Sequence, residues 1–165
     1  LGTENLIDSA RELALATRLK RLSDHLYSTV DKIYRELGYQ FQSQWFPVVF
    51  LLHRSGVMGI TEIADILGQT HSAVSQISRK LDEQNLIESV ADERDSRRRL
   101  LKLSDEGNRQ VERLQPVWQA ISASVNQLLL NADTDLLESI KRIEDELPRY
   151  SLSHDVVRRV RLRDR

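Results

Sequence analysis

A row of hydrogen-bonding side chains with helical spacing follows Thr70. Its members lie at offsets of 0, 1, 4, 5 and 8 along the chain: His71, Ser72, Ser75, Gln76 and Arg79. Hydroxyl, amide and guanidinium groups can bond base edges in the major groove of DNA or bind its phosphates. Thr70 and this row are therefore candidate DNA contacts. A surface helix of an unrelated helical protein could carry the same residues, so the row alone leaves both interpretations open.

An arginine-rich segment forms the second candidate site. It comprises Arg94, Asp95, Arg97, Arg98 and Arg99. Apolar residues with a period of two precede it at 86–90 and follow it at 100–103, which predicts a β-hairpin with a charged tip, the wing. Arg97 could enter a narrow minor groove, oriented by a hydrogen bond to Asp95, while the other arginines bind flanking phosphates. A run of arginines is often only a solvated edge strand, but its place directly after two short helices favours a wing.

The chain as a whole is nearly neutral, with 24 Lys and Arg against 25 Asp and Glu. Binding to phosphates depends on the charge of the contacting face and not on that of the whole molecule. Basic residues cluster in the arginine-rich segment and again between 158 and 165. The net charge of −1 therefore does not exclude a nucleic-acid partner.

Composition and motifs argue against several other classes of protein. The chain has no cysteine, which excludes disulfides, thiolate metal sites and cysteine redox switches. It has no Gly-rich phosphate loop, no His-Glu-x-x-His and no Ser- or Cys-centred nucleophile motif. No apolar run is long enough to span a bilayer. The four histidines show no metal-ligand spacing: His25, His53, His71 and His154. We therefore expect a cytoplasmic protein that is not an enzyme and has no metal, cofactor or membrane partner.

Two short helices joined by a tight turn should position the polar row. The first, with Thr61 as candidate cap, should face the core with Ile63, Ala64, Ile66 and Leu67. Gly68 ends it, and Thr70 can cap the second helix. The core face of that second helix should consist of Val74, Ile77 and Leu81. Helix, glycine-containing turn and helix together indicate a helix-turn-helix.

An apolar row with helical spacing indicates one long helix in the N-terminal third. It consists of Leu15, Leu19, Leu22, Leu26, Val30, Ile33 and Leu37. Gly38 supplies the stop, because glycine enters the left-handed conformation without steric cost. So long a helix must be buried against its own chain or against a second subunit, and we favour the second subunit. A core helix over 43–54 follows, with Ser43 as candidate cap and Pro47 in its first turn.

Helical spacing returns after the hairpin. Ser104 can cap a helix that ends at Asn131, and a last helix should stop before Pro148. Asp133 or Thr134 is the candidate cap of that last helix. The predicted fold class is mainly α with a small β-wing, in which long helices flank a winged helix-turn-helix.

Two short motifs, one in the hairpin and one after it, are specific enough to indicate a protein family. They are Asp95-Ser96-Arg97 and Leu103-Ser104-Asp105-Glu106-Gly107. With these motifs, the stretch from Ile60 to Leu103 resembles the MarR family of bacterial transcriptional regulators, whose signatures are an Asp-x-Arg wing and a following Leu-Thr/Ser-x-x-Gly. Asn85 stands where the family usually has glycine. Asparagine is the next-best residue for a left-handed cap, so we expect the turn to survive.

The resemblance covers nearly the whole chain and implies a homodimer that reads a pseudo-palindromic site on double-stranded DNA. It implies a single MarR-type domain over 1–165, with helical dimerisation regions at 5–38 and 104–150. The winged helix-turn-helix would occupy 43–103, followed by a basic C-terminal tail at 151–165. Family members are commonly repressors released by a small ligand bound between the dimerisation helices and the DNA-binding region. Activators also occur, and the sequence does not separate the two. Without cysteine, the peroxide-sensing branch is excluded.

The segment from Phe41 to Pro47 is similar to MarR-type domains that precede a GNAT acetyltransferase. The chain is then either a free-standing regulator, which we favour, or the DNA-binding half of such a fusion. Phe41, Trp45 and His53 are candidates for lining a ligand pocket near the second helix, although core packing explains each more simply. A winged helix that binds protein and not DNA is the alternative function.

Overall fold

The computed structural model describes residues 6–91 and 99–163. The chain divides into two compact units, Leu1–Val117 and Trp118–Arg165. Its α-helices are α1 (Leu6–Ser9), α2 (Leu15–Glu36), α3 (Phe46–Ser55), α4 (Ile60–Leu67), α5 (His71–Glu83), α6 (Asp105–Asn131), α7 (Leu136–Glu146) and α8 (Leu152–Arg163). Its strands are β1 (Met58–Gly59), β2 (Ile87–Ala91) and β3 (Arg99–Leu103). The predicted fold class, mainly α with a small β element, is confirmed.

Helix α2 is the long helix predicted from the spacing of leucines. Gly38 has a φ of 79° and ends the helix, and its N–H donates to the carbonyl of Arg35 at 3.1 Å. The first three members of the apolar row, Leu15, Leu19 and Leu22, are exposed, and the next three, Leu26, Val30 and Ile33, are half-buried. The last member, Leu37, follows the helix and is exposed. The C-terminal half of α2 therefore packs within the chain, whereas the N-terminal half of its apolar row is exposed to solvent.

Helix α3 begins later than the sequence predicted. A 3-10 turn over Ser43–Trp45 precedes it, with Pro47 in the first turn of the α-helix as expected. Ser43 does not cap the helix, because α2 occupies its polar groups. Its hydroxyl donates to the carbonyl of Tyr27 at 3.2 Å, and its N–H donates to Asp31 Oδ1 at 2.6 Å. Ser43 therefore joins α3 to α2.

The sheet has one strand that the sequence analysis did not predict. The predicted hairpin is present as antiparallel β2 and β3, with Ile87 opposite Leu103. Strand β1 adds to the other edge of β3, with Met58 opposite Leu101, so that the order is β1-β3-β2. Two residues are too few to show an alternating pattern, and pairing with β3 alone defines this strand.

Helix α4 also begins differently from the prediction. Gly59 is the N-cap residue, and its N–H donates to Glu62 Oε2 at 3.4 Å, so Thr61 lies inside the helix and does not cap it. The helix starts earlier because β1 carries extended backbone up to Gly59. Ile63 and Ala64 are buried as expected, but Ile66 is 56% exposed and does not face inward.

The core of the first unit lies between the sheet and helices α2 to α6. Its largest fully buried side chains are Tyr34, Val48, Leu52, Ile63, Val74, Leu81, Leu101, Val111 and Leu114. These residues come from helices α2 to α6 and from β3, and two of them, Val74 and Leu81, belong to α5. The helix that carries the polar row, α5, therefore packs against this core with its apolar face.

Helix α6 begins at the predicted cap. The Ser104 hydroxyl accepts a hydrogen bond from the Gly107 N–H at 2.9 Å and donates one to the carbonyl of Asn85 at 2.5 Å. The Ser104 N–H donates to the carbonyl of Leu86 at 3.1 Å. The start of α6 is thus attached to the turn that follows α5, and the helix ends at Asn131 as predicted.

The second unit departs from the prediction in two places. Asp135, and not Asp133 or Thr134, caps α7, because its carboxylate accepts the Glu138 N–H at 3.3 Å. The segment expected to be a basic tail contains helix α8. Within it Asp155 accepts hydrogen bonds from Arg159, Tyr150 and Arg158, which hold the pKa of Asp155 well below its usual range. None of the described helices has both the length and the apolar character that crossing a membrane requires.

Candidate nucleic-acid interface

Helix α5 is fixed at both ends. At its start the Thr70 hydroxyl accepts the Ala73 N–H at 3.2 Å, which confirms the predicted cap. At its end Asn85 adopts a φ of 55°, the left-handed conformation expected of it, and the Leu86 N–H donates to the carbonyl of Leu81 at 2.9 Å. The chain therefore passes from α5 directly into the hairpin.

Helix α5 buries one face and exposes the other. Val74 and Leu81 are fully buried, and Ile77 is half-buried, as predicted. The opposite face carries exposed His71, Ser72, Gln76 and Arg79, with half-buried Ser75 beside them. His71 Nδ1 and Ser75 Oγ lie 3.4 Å apart. Among residues 6–91 and 99–163, the side chains of Ser72, Gln76 and Arg79 have no hydrogen-bond or ion-pair partner, so their polar groups can bind a ligand.

Thr70→Ala should destabilise the chain by about 1 kcal/mol, because one N–H in the first turn of α5 loses its acceptor. Chemical denaturation of the variant would measure this loss. Thr70→Ser keeps an oxygen in the same place and serves as the matched control. Equal stability of the alanine variant and the parent would contradict the role of Thr70 as cap.

Only Arg99 of the arginine-rich segment is among the described residues. The candidate contacts Arg94, Asp95, Arg97 and Arg98 lie outside them. Arg99 begins β3, and its Nε donates to Ser89 Oγ on β2. Its Nη2 lies 3.8 Å from Asp82 Oδ2, in the last turn of α5. Sequence reasoning missed Asp82 and Ser89, because neither lies near Arg99 in the chain and only the hairpin register brings them together.

A second ion pair lies within the hairpin. Lys102 and Glu88 are directly opposite each other on β3 and β2, and Lys102 Nζ lies 2.7 Å from Glu88 Oε1. The hydrogen bond to Glu88 raises the pKa of Lys102 above its ordinary value. Opposite charges at facing positions favour this strand pairing. Lys102 is therefore engaged within the sheet.

A cavity of about 760 Å³ lies beside α2 and the turn before α3. Phe41 and Trp45 line it and are almost fully buried, as core packing also requires, so their role as ligand contacts stays a prediction. Their rings meet edge to face with centroids 5.6 Å apart. His53 is exposed on α3 and does not line this cavity. Polar residues also line the cavity, and no spacing in the sequence brings them together; among them are Tyr27, Asp31, Arg35, Tyr39 and Gln84.

The fold and the site can be compared with known proteins. The model of the MarR family matches residues 37–98. The MepR–DNA complex of S. aureus has 19% sequence identity and a TM-score of 0.67, with 81% of this chain and 98% of that chain covered. PcaV of Streptomyces coelicolor in complex with its natural ligand has 23% identity and a TM-score of 0.65, covering 88% and 98%. BldR of Sulfolobus solfataricus has 17% identity and a TM-score of 0.66, covering 84% and 97%. A comparison with curated proteins finds no significant match.

The helix-turn-helix of α4 and α5, together with the β2–β3 hairpin that follows it and strand β1 that precedes it, defines a winged-helix protein. Residues 37–98 match the MarR family model and the fold matches those of MarR-type regulators, so the predicted resemblance to this family is confirmed. Its structural neighbours are transcriptional regulators. The similarity of 41–47 to domains linked to acetyltransferases remains a prediction.

Proposed function

We propose that this protein is a sequence-specific DNA-binding regulator of transcription and has no enzymatic activity. The observation that carries the proposal is the exposed face of α5. Gln76 and Arg79 present amide and guanidinium groups that no described residue engages, on a helix whose opposite face is packed. Side chains of these types bond adenine and guanine edges in the major groove. The MepR neighbour was solved as a DNA complex, which supports this use of the fold.

Selection of bound duplexes from a random pool would test the proposal, followed by titration of the selected duplex at several salt concentrations. Binding to phosphates should weaken linearly in a plot of log affinity against log salt concentration. A protein that binds no duplex at low salt would instead be a protein-interaction module. Such a regulator would act in the cytoplasm, where it can reach its DNA.

Gln76→Ala should lower the preference for the selected duplex over an unrelated one by roughly 1–3 kcal/mol, the range for one bidentate base contact. Affinity for the unrelated duplex should change little, because phosphate contacts remain. Competition titrations with both duplexes would measure the two affinities. Gln119→Ala removes the same group from an exposed position on α6 and is the matched control. Equal losses on both duplexes would assign Gln76 to the DNA backbone and contradict base reading.

We propose that the regulator acts as a homodimer on a pseudo-palindromic site. Uncovered apolar surface supports this assembly. None of the described residues between 118 and 163 is buried, although α6, α7 and α8 carry many large apolar side chains there. On α2, Leu15, Leu19 and Leu22 form a second uncovered row. Helices as short as α7 and α8, with 11 and 12 residues, are marginal in water unless an apolar face is packed, and a second copy of the chain would cover such faces. A second copy also supplies a second α5, the recognition helix that would enter the major groove.

We further propose that a small ligand releases the protein from DNA and that the protein acts as a repressor. The cavity beside α2 combines aromatic walls with carboxylate, phenol and amide groups, which suits a compact molecule with polar substituents. Gln84, directly after α5, is among its lining residues. A ligand there can therefore act on the end of the recognition helix. The PcaV neighbour was solved with its natural ligand, which supports ligand control.

A further inference from the structure

Arg99 lies where three elements meet. It is the first residue of β3 and is opposite Ala91, the last residue of β2. Its guanidinium contacts Ser89 through Nε and Asp82 through Nη2, the latter at 3.8 Å. Asp82 belongs to the last turn of α5. One side chain therefore connects both strands of the hairpin to the recognition helix.

We propose that Arg99 is a positioning residue, which holds the β2–β3 hairpin in a set direction relative to α5. In this role it does not contact a DNA phosphate. This inference rests on the proposed DNA-binding function. Ser89 accepts the Nε–H, and the Asp82 carboxylate lies within ion-pair distance of Nη2, so a negative charge of the chain already offsets the positive charge that would attract a phosphate. Asp82 in turn would repel nearby phosphates if Arg99 did not offset its charge.

Because the Arg99–Asp82 ion pair is exposed, a positioning role can be distinguished from a contribution to folding stability. The side chains of Arg99 and Asp82 are 62% and 51% exposed. Ion pairs with this degree of exposure add little to the free energy of folding. Neutralising either residue should therefore leave the melting temperature nearly unchanged while it alters the geometry that DNA binding requires.

Arg99→Gln and Asp82→Asn should each weaken binding of the selected duplex by about three- to tenfold, the range for residues that act without contacting the ligand. The double variant should bind no more weakly than either single variant, because both changes break the same connection. The slope of log affinity against log salt concentration should stay at its parental value. Lys102→Gln is the matched control, because it also removes a cation from β3. The partner of Lys102 is Glu88 on β2, so this change leaves the connection to α5 intact.

A phosphate contact would give a different pattern. Arg99→Gln would then lower the salt slope by about 0.9, and Asp82→Asn would leave the affinity unchanged or raise it. Either result, with the parent protein binding the duplex normally, would overturn the positioning role alone. A parent protein that binds no duplex would overturn the proposed function and this inference with it.

Discussion

Gly107→Ala should destabilise the chain by about 3 kcal/mol or more. A Cβ at this position would lie 2.0 Å from the carbonyl oxygen of Leu86 and 3.0 Å from its carbonyl carbon. That carbonyl also accepts the Ser104 N–H, so it cannot move away without breaking the connection between α6 and the turn after α5. Overpacking against movable side chains already costs about 1–3 kcal/mol, and here the obstacle is backbone. Urea denaturation would measure the loss.

Gly68→Ala is the control for Gly107→Ala. Gly68 has a φ of 60° with open space around it, so alanine there meets only backbone strain of about 1–2 kcal/mol. Helix propensity alone would make alanine more favourable than glycine at 107 by about 1 kcal/mol. An alanine variant at 107 as stable as the parent would therefore contradict the close approach of α6 to Leu86.

Leu19→Glu should convert the proposed dimer into a monomer and lower the affinity for the selected duplex by about 100-fold or more. The loss is large because the second recognition helix no longer binds as part of the same molecule. Leu19 lies in the uncovered row of α2 and is 43% exposed, so a charge there is compatible with the folded chain. Sedimentation velocity and duplex titration would measure the two effects.

Thr17→Glu is the matched control on the same helix. Thr17 is exposed and lies two residues from Leu19, which places it on nearly the opposite side of a helix with 3.6 residues per turn. The Thr17→Glu variant should keep the mass of the dimer and the parental affinity for the selected duplex. Should Leu19→Glu remain dimeric with parental affinity, the row on α2 would not be the subunit contact.

Periodic burial explains why most elements could be predicted. Helix α5 and the β2–β3 hairpin each bury one face, and α2 does so in part along its C-terminal half; burial of one face imposes its period on the apolar residues. Strand β1 has only two residues and no period to detect, so it was missed. The exposed Ile66 on α4 shows the opposite error, because an apolar residue need not face the core.

Residue type alone predicted some helix caps correctly and others wrongly. Thr70 and Ser104 cap as predicted, and the second hydrogen bond of Ser104, to the carbonyl of Asn85, uses the hydroxyl proton and leaves the oxygen free to accept the Gly107 N–H. Ser43 has the right residue type, but contacts with α2 take its hydroxyl and its N–H. Thr61 is displaced because β1 pairing decides where α4 begins. A cap depends on what else can reach the residue, and that is a property of the packed chain.

Residue type and spacing along single elements were enough to predict the polar row on α5 and the hairpin, because each is encoded within one continuous stretch of chain. The sequence also indicated where aromatic residues could line a cavity, although Asp31, Gln84 and the other polar lining residues come from separate elements. The contacts of Arg99 with Asp82 and Ser89, and the close approach of Gly107 to the Leu86 carbonyl, emerge from the folded chain and from no pattern in the sequence. These contacts join residues far apart in the chain, and strand register and helix packing alone set their distances.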